Sequence, residues 1–290
     1  MEKVPLSIII LTYNEEANIQ ACLESVHDFA TEIFIVDSYS TDRTLEIAGQ
    51  YTQKIYQNPW THYAGQRQWA LANLPLGNDW IFFLDADERF TPAFEREVSE
   101  IIRREIRNPR FGGYYVPRRF FFLKGEIKWG GCKGSCKELR LCNRHNLTIG
   151  ERAGHEIYMS DLEVDRLTEP MIHEDHKPLT EWIARHNRYS SFNAEYLWAL
   201  SKGKENFSTG LNRDIHDRWL YWKEKFREHI WHKLPIGFRP TTLFMVNYFF
   251  RLGFLDGMPG FLYAFFRDFW YHLLIDAKYY ALKKNDQEMQ

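Results

Sequence analysis

Cysteine is scarce in this chain, with four in 290 residues. Cys22, Cys132, Cys136 and Cys142 are too few and too unevenly spread for a disulfide scaffold, and a reducing, cytosolic setting fits them best. The last three cluster ahead of His145 and His155, but the spacing lacks paired C-x2-C knuckles, so no structural zinc site is expected. Charge of one sign is lacking too. Lys+Arg 37 against Asp+Glu 39 leaves a net charge of -2, which speaks against indiscriminate nucleic-acid binding. No basic leader with an apolar core and cleavage site opens the chain, so secretion is not expected. No stretch offers the roughly 20 uninterrupted apolar residues of a spanning helix. The glycine-rich, basic loop that would hold a triphosphate after the first strand is also missing, which disfavours a nucleotidyltransferase.

What is present is organised around Trp80-Ile-Phe-Phe-Leu-Asp-Ala-Asp-Glu-Arg89. The apolar run reads as a strand buried on both faces. Alternate residues of an extended chain point the same way, which puts Asp85 and Asp87 on one side. Two hard carboxylates so placed suit Mg2+ or Mn2+. A solvated acidic turn with Arg89 as counter-charge is the plainer alternative.

Two more strands of this kind come earlier. Leu6 to Leu11 runs into Thr12-Tyr-Asn-Glu-Glu16, and Glu32 to Val36 ends in Asp37. Helical patterns follow through Ile19, Leu23 and Val26, from about Thr44 to Tyr51, and from Gly65 to Leu74, with a short strand at Lys54 to Gln57. Strand, loop and helix repeated three times predict an α/β fold with a mostly parallel sheet flanked by helices. Ligands sit beyond the carboxyl ends of such strands, where Thr12 to Glu15, Asp37 and Asp85 to Glu88 all fall.

Beyond residue 110 the pattern changes. Gly113 to Pro117 reads as a strand, Trp129-Gly-Gly-Cys-Lys-Gly134 as a glycine-rich loop, and Glu138 to Cys142 as a strand packed on one face. Thr180 is placed to cap a long amphipathic helix. Trp219, Trp222, Phe226 and Ile230 then recur at helical spacing among Lys223, Lys225, Arg227 and Lys233. From Phe244 to Tyr280 aromatic residues dominate, with a helix break expected at Gly257-Met-Pro-Gly260. Aromatic helices with cationic polar faces suit a lipid headgroup interface. Packing on the rest of the chain, or on a second copy, is the alternative.

These residues resemble a family 2 glycosyltransferase with the GT-A fold. The resemblance covers roughly residues 4–115 and rests on Ile8 to Glu15, Ile35 to Thr44 and Leu84 to Glu88. Gly65-Gln-Arg-Gln68, Arg140-Leu141, His155-Glu156, His173, Asn187-Arg-Tyr-Ser190 and Gly253-Phe-Leu-Asp-Gly257 resemble a narrower group, the lipopolysaccharide core heptose β-1,4-glucosyltransferase-like proteins. Cys132 and Gly154 depart from that group's usual aromatic and Val.

The resemblance implies a GT-A catalytic domain over residues 1–178. Its nucleotide-sugar half would run to about residue 115 and its acceptor half over 116–178. Residues 179–290 would form an aromatic-rich helical extension at the membrane surface, on the cytoplasmic face of the inner membrane. Thr12, Tyr13 and Glu15 would line the nucleotide pocket, Asp37 would bond the base, Arg67 would lie near the nucleotide and Asp85 would approach the ribose. Asp87 would bind Mg2+ or Mn2+, with His173 as a further metal contact or, alternatively, a histidine paired with Glu174. Glu156 would be the general base, with Glu174 or Asp175 in reserve.

The reaction implied is inverting transfer of a hexose, glucose from UDP-glucose foremost, to a lipid-linked glycan. A polyprenyl-phosphate glycosyltransferase and a non-catalytic sugar-nucleotide-binding scaffold are the competing readings.

Overall fold

A computed structural model of the chain describes residues 3–131, 138–152, 155–202 and 234–288. Cys132, Cys136, Gly154 and the aromatic and basic pattern from Trp219 to Lys233 lie outside the described residues. The chain divides into two compact units. The first comprises Met1–Glu126, Cys132–Ile149 and Glu156–Lys177; the second comprises Ile127–Gly131, Gly150–His155 and Pro178–Gln290.

In the first unit β1 (Val4–Thr12), β2 (Ala30–Asp37), β3 (Ile55–Gln57) and β4 (Trp80–Asp85) are parallel, linked by α1 (Ile19–Glu24), α2 (Thr44–Ala48) and α3 (Tyr63–Asn73). Their apolar runs are unbroken because both faces are covered. Leu6, Ile8, Ile10, Phe82 and Leu84 enter one core, while Ile9, Phe34, Val36, Ile81 and Phe83 enter another. The register pairs Thr12 with Asp37 and Leu11 with Asp85, so the polar strand ends arrive at one edge.

After the short β5 (Glu88–Arg89), sequence reading passed over α4 (Pro92–Arg107). Its signals are plain in hindsight: the Thr91 hydroxyl accepts from Phe94 N–H, Pro92 opens the first turn, and Phe94, Val98, Ile101 and Ile102 make one buried face.

β6 (Gly113–Val116), β7 (Arg118–Phe122), β8 (Gly125–Ile127), β9 (Glu138–Asn143), β10 (Leu147–Arg152), β11 (His155–Ser160), β12 (Val164–Arg166) and β13 (Met171–Glu174) follow. The main sheet has the order β12-β6-β9-β4-β1-β2-β3, with β9 antiparallel to both neighbours; β5-β13-β7-β8 and β10-β11 form separate sheets. This is the mostly parallel, helix-flanked sheet that the strand–loop–helix repeats predict. One strand corrects the sequence reading. β9 is not packed on one face: Leu139, Arg140, Leu141 and Cys142 are all buried, because the strand lies inside the sheet.

The second unit is helical where described, with α5 (Leu179–Ser201), α6 (Phe238–Met245), α7 (Gly257–Ala264) and α8 (Tyr271–Glu288). Pro178, not Thr180, stands at the N-cap of α5. Lys278 of α8 donates to the Asn187 carbonyl at 2.6 Å and the Ser190 hydroxyl at 2.8 Å, which gives the Asn187-Arg-Tyr-Ser190 stretch a structural use.

The Trp129-Gly130-Gly131 loop and the Gly253 to Gly257 stretch, far apart in sequence, meet within this unit. Trp129 N–H donates to Asp256 at 2.9 Å, and Gly130 N–H to the Arg251 carbonyl at 3.0 Å. A Cβ on Gly260 would stand 2.5 Å from the Gly253 carbonyl oxygen, so only glycine permits that approach. The expected helix break falls at Gly257, whose φ is 65°, and Pro259 lies in the first turn of α7. No described helix is long and apolar enough to cross a membrane.

Candidate active site

The edge of the first unit is built from the two loops after β1 and β2, which are stitched together by side chains. Asn14 N–H donates to the Ser40 hydroxyl at 2.9 Å, the Asn14 side chain accepts from Thr41 N–H at 2.8 Å, and Glu15 N–H donates to the Thr44 hydroxyl at 2.7 Å. Thr12 is buried and donates to Asp37 at 2.9 Å. Asp37 is itself fully buried, accepting also from the Ser40 backbone N–H at 2.9 Å and the Ser40 hydroxyl at 2.5 Å. Tyr13 stands out of this fabric at 54% exposed. Tyr39 is as exposed and holds a φ of 61°, a conformation that a bulky residue keeps only under constraint.

Glu15 pairs with Lys177 at 2.6 Å. Burial outweighs that pairing and pushes the Glu15 carboxyl up to about 7.

Asp85 and Asp87 have separate partners. β4 stops at Asp85, so strand alternation does not carry on through Asp87. Asp85 accepts from Arg67 at 2.9 Å and from Arg140 at 2.6 and 3.1 Å. Burial disfavours its charge, but Arg140 and Arg67 more than compensate and hold its carboxyl well below the usual carboxylate range. Asp87 turns to β13, its Oδ2 3.4 Å from His173 Nε2. His173 Nδ1 lies 3.5 Å from Glu88 Oε1. Burial works against an imidazolium there, yet Asp87 and Glu88 prevail and raise His173 to about 10.

Three guanidiniums, Arg67, Arg118 and Arg140, interlock with four carboxylates, Asp85, Glu88, Glu138 and Glu156. Arg67 and Arg140 are buried, as is Glu88. Sequence reading quoted Arg140 as part of a motif without a role, and gave no site role to Glu88, Arg118, Glu138, Tyr158 or Lys177. The available signal was a lone Arg inside the apolar strand Glu138-Leu-Arg-Leu-Cys142, which demands buried carboxylates as partners.

Of the three candidate bases, Glu156 Oε1 lies 3.2 Å from Arg67, the guanidinium that also holds Asp85. Glu174 is engaged by Arg89 and, at 3.2 Å, by His176. Asp175 accepts from the Asn18 side chain and the Lys177 backbone N–H, both at 3.0 Å. Of the zinc-spacing residues, Cys142 is buried in the core and His145 pairs with Asp79 at 2.8 Å.

Among the described residues no group of three or more His, Cys, Asp and Glu side chains is arranged to hold a metal ion. The spacing of Asp87 Oδ2 and His173 Nε2 is compatible with two neighbouring ligands of a divalent cation, which would have to displace the proton that His173 holds. Adjacent octahedral ligands at about 2.1 Å from Mg2+ stand roughly 3 Å apart, and this oxygen and nitrogen are 3.4 Å apart.

Residues 7–128 match the profile of glycosyl transferase family 2. The chain is 28% identical over 273 residues to the lipopolysaccharide core biosynthesis glycosyltransferase LpsC of Rhizobium meliloti, covering 91% of this chain and 90% of that one. An uncharacterized glycosyltransferase of Rickettsia bellii is 26% identical over 256 residues, or 85% of this chain and 84% of the other. A solved structure of glucosyl-3-phosphoglycerate synthase from Mycobacterium tuberculosis, in complex with Mn2+, UDP and glucosyl-3-phosphoglycerate, aligns with a TM-score of 0.42. That alignment has 16% identity and covers 69% of this chain and 80% of that one. The chain is thus similar to glycosyltransferases, and over residues 7–128 to those of family 2.

Proposed function

We propose that the chain moves a hexose, glucose from UDP-glucose, with inversion onto a hydroxyl of a lipid-linked glycan of the lipopolysaccharide-core type. Residues 1–178 carry the chemistry, with the donor side in 1–115 and the acceptor side in 116–178. Residues 179–290 hold the enzyme at the cytoplasmic face of the inner membrane. The acceptor class follows the relative named for lipopolysaccharide core biosynthesis. The observation that carries the reading is one guanidinium, Arg67, holding both Asp85 at the strand edge and Glu156.

Displacing a nucleoside diphosphate from an anomeric carbon passes through an oxocarbenium-like state, as in glycoside hydrolysis. A carboxylate on the face opposite the leaving group must take the acceptor's proton. Glu156 is assigned that role because it shares Arg67 with Asp85, whereas Glu174 is held by Arg89 and His176 and Asp175 by Asn18 and the Lys177 N–H. Arg67 fixes the carboxylate's position and, through Asp85, couples it to the donor side. Thr12, Tyr13, Glu15, Asp37 and Arg67 frame the nucleotide, and Asp85 approaches its ribose. Asp87 and His173 would hold Mg2+ or Mn2+, which when bound neutralises charge on the departing diphosphate.

The test is transfer from radiolabelled UDP-glucose to membranes carrying truncated lipopolysaccharide cores. Acid-stable label in the glycan, lost with Glu156→Gln, is the expected result. Label released by mild acid would reassign the acceptor to a lipid phosphate, and nucleotide binding without turnover would leave a scaffold.

A further inference from the structure

The carboxylate assigned as base sits on a strand that the main sheet does not hold. Glu156 belongs to β11, which pairs with β10 in a two-stranded sheet of its own. Two strands alone are marginally stable in water, so other contacts must fix that carboxylate. They come from one turn of α3. Successive helix residues stand about 100° apart around the axis, so Gln66, Arg67 and Gln68 reach three different places. The Gln66 side chain donates to the Asn58 and Pro59 carbonyls at 3.1 and 2.8 Å, just beyond β3. Arg67 turns inward to Asp85 and Glu156. The Gln68 side chain donates to the carbonyl of the buried Ile149, in β10, at 2.6 Å.

Tyr158 completes the arrangement. It lies two residues after Glu156, so both side chains leave β11 on the same side. Its hydroxyl accepts from one terminal nitrogen of Arg67, while the other terminal nitrogen serves Asp85 and Glu156. Burial raises that hydroxyl above the usual tyrosine range, so it accepts as a neutral group. The Phe83 ring lies 5.2 Å from the guanidinium carbon and 6.0 Å from the Tyr158 ring. The two carboxylates do not depend on Arg67 equally. Asp85 also accepts from Arg140, whereas the described partner of Glu156 is Arg67. A shift of the Arg67 guanidinium therefore falls on Glu156 more than on Asp85.

We propose that Tyr158 and Gln68 are positioning residues for Glu156, Tyr158 by fixing the Arg67 guanidinium and Gln68 by docking β10 on α3. The proposal deepens the transferase reading above and rests on it, with Glu156 as the base. Neither side chain has to touch substrate. A base works only within hydrogen-bond reach of the proton it takes, and a displacement of about 1 Å costs on the order of 10²-fold.

The test combines kinetics with hydrogen exchange on the full chain. Tyr158→Phe keeps the ring and deletes the hydroxyl; Gln68→Met keeps the length of an exposed side chain and deletes the amide. Each should lower kcat for transfer from UDP-glucose by about 10- to 100-fold, with the KM for UDP-glucose unchanged. In a Glu156→Gln background neither should lower the residual turnover further, because the carboxylate they position is gone. The amides of β11 should exchange several-fold faster in both variants, with those of β1 and β4 unchanged. Wild-type exchange of β11 in both variants would overturn the proposal, whatever turnover does. So would an equal fall in kcat with Glu156 present and with Glu156→Gln, since the effect would then bypass the carboxylate. Full turnover by Glu156→Gln alone would remove the base assignment and the proposal with it. That failure is distinguishable, because β11 would still loosen in Tyr158→Phe and Gln68→Met.

Discussion

The strand edge of the first unit and the segment from Phe238 to Phe261 in the second handle solvent in opposite ways. At the strand edge, Arg67, Arg140 and Glu88 lie inside the protein, where an unpaired ion costs several kcal/mol. Each is met by opposite charge from elsewhere in the same unit, so that cost is offset internally. In the second region the unfavourable groups are apolar and outside, with Phe250 and Met258 open to water. Their compensation is not found among the described residues. A buried charge with its partners describes a machine assembled within one unit; an uncovered aromatic face describes one that waits for something else.

The sharpest way to break this contrast is to remove charge from the edge. Asp87→Ala should lower kcat by about a thousandfold while thermal unfolding moves little, because the residue is partly exposed and pairs mainly with His173. Glu156→Gln should cost about 10²- to 10⁴-fold in turnover with nucleotide affinity retained. Arg140→Met should act on the fold instead. It leaves Asp85, Glu88 and Glu138 without their shared guanidinium and should destabilise the protein by about 3–5 kcal/mol, read by denaturant unfolding.

Glu15 offers a subtler probe of the same edge. Its carboxyl rises from the ordinary 4.5 to about 7 on folding, so the folded chain holds that proton more tightly than the unfolded one. Stability relative to Glu15→Gln should therefore fall as pH rises from about 4.5 to 7 and level off above. Lys177→Met, which removes the cation that lowers it, should move the Glu15 titration upward in carbon NMR. The smallest effect on folding belongs to the other region. Phe250→Ser should change stability by within about 0.5 kcal/mol, since its ring is already in water.

Sequence made the strand edge legible because wholly apolar runs ended abruptly in Asp37 and Asp85, and the register of parallel strands brings such ends together. It did not disclose who neutralises Asp85. Those partners, Arg67 and Arg140, come from a helix and an antiparallel strand 18 and 55 residues away, and no local pattern encodes that meeting. Helix α4 is legible in the sequence as well, since Thr91-Pro92 and the spacing of Phe94, Val98 and Ile102 spell a capped amphipathic helix. The aromatic richness of the last third is visible at once, but sequence does not sort half-covered rings such as Tyr248 from rings left outside such as Phe250.

The central claim is that the strand edge binds a nucleotide-sugar with help from Asp87, and calorimetry of UDP-glucose with Mn2+ and with chelator tests it most directly. The account predicts metal-dependent binding by wild type that is lost in Asp87→Ala. Binding of equal strength in both proteins, indifferent to chelator, would contradict it.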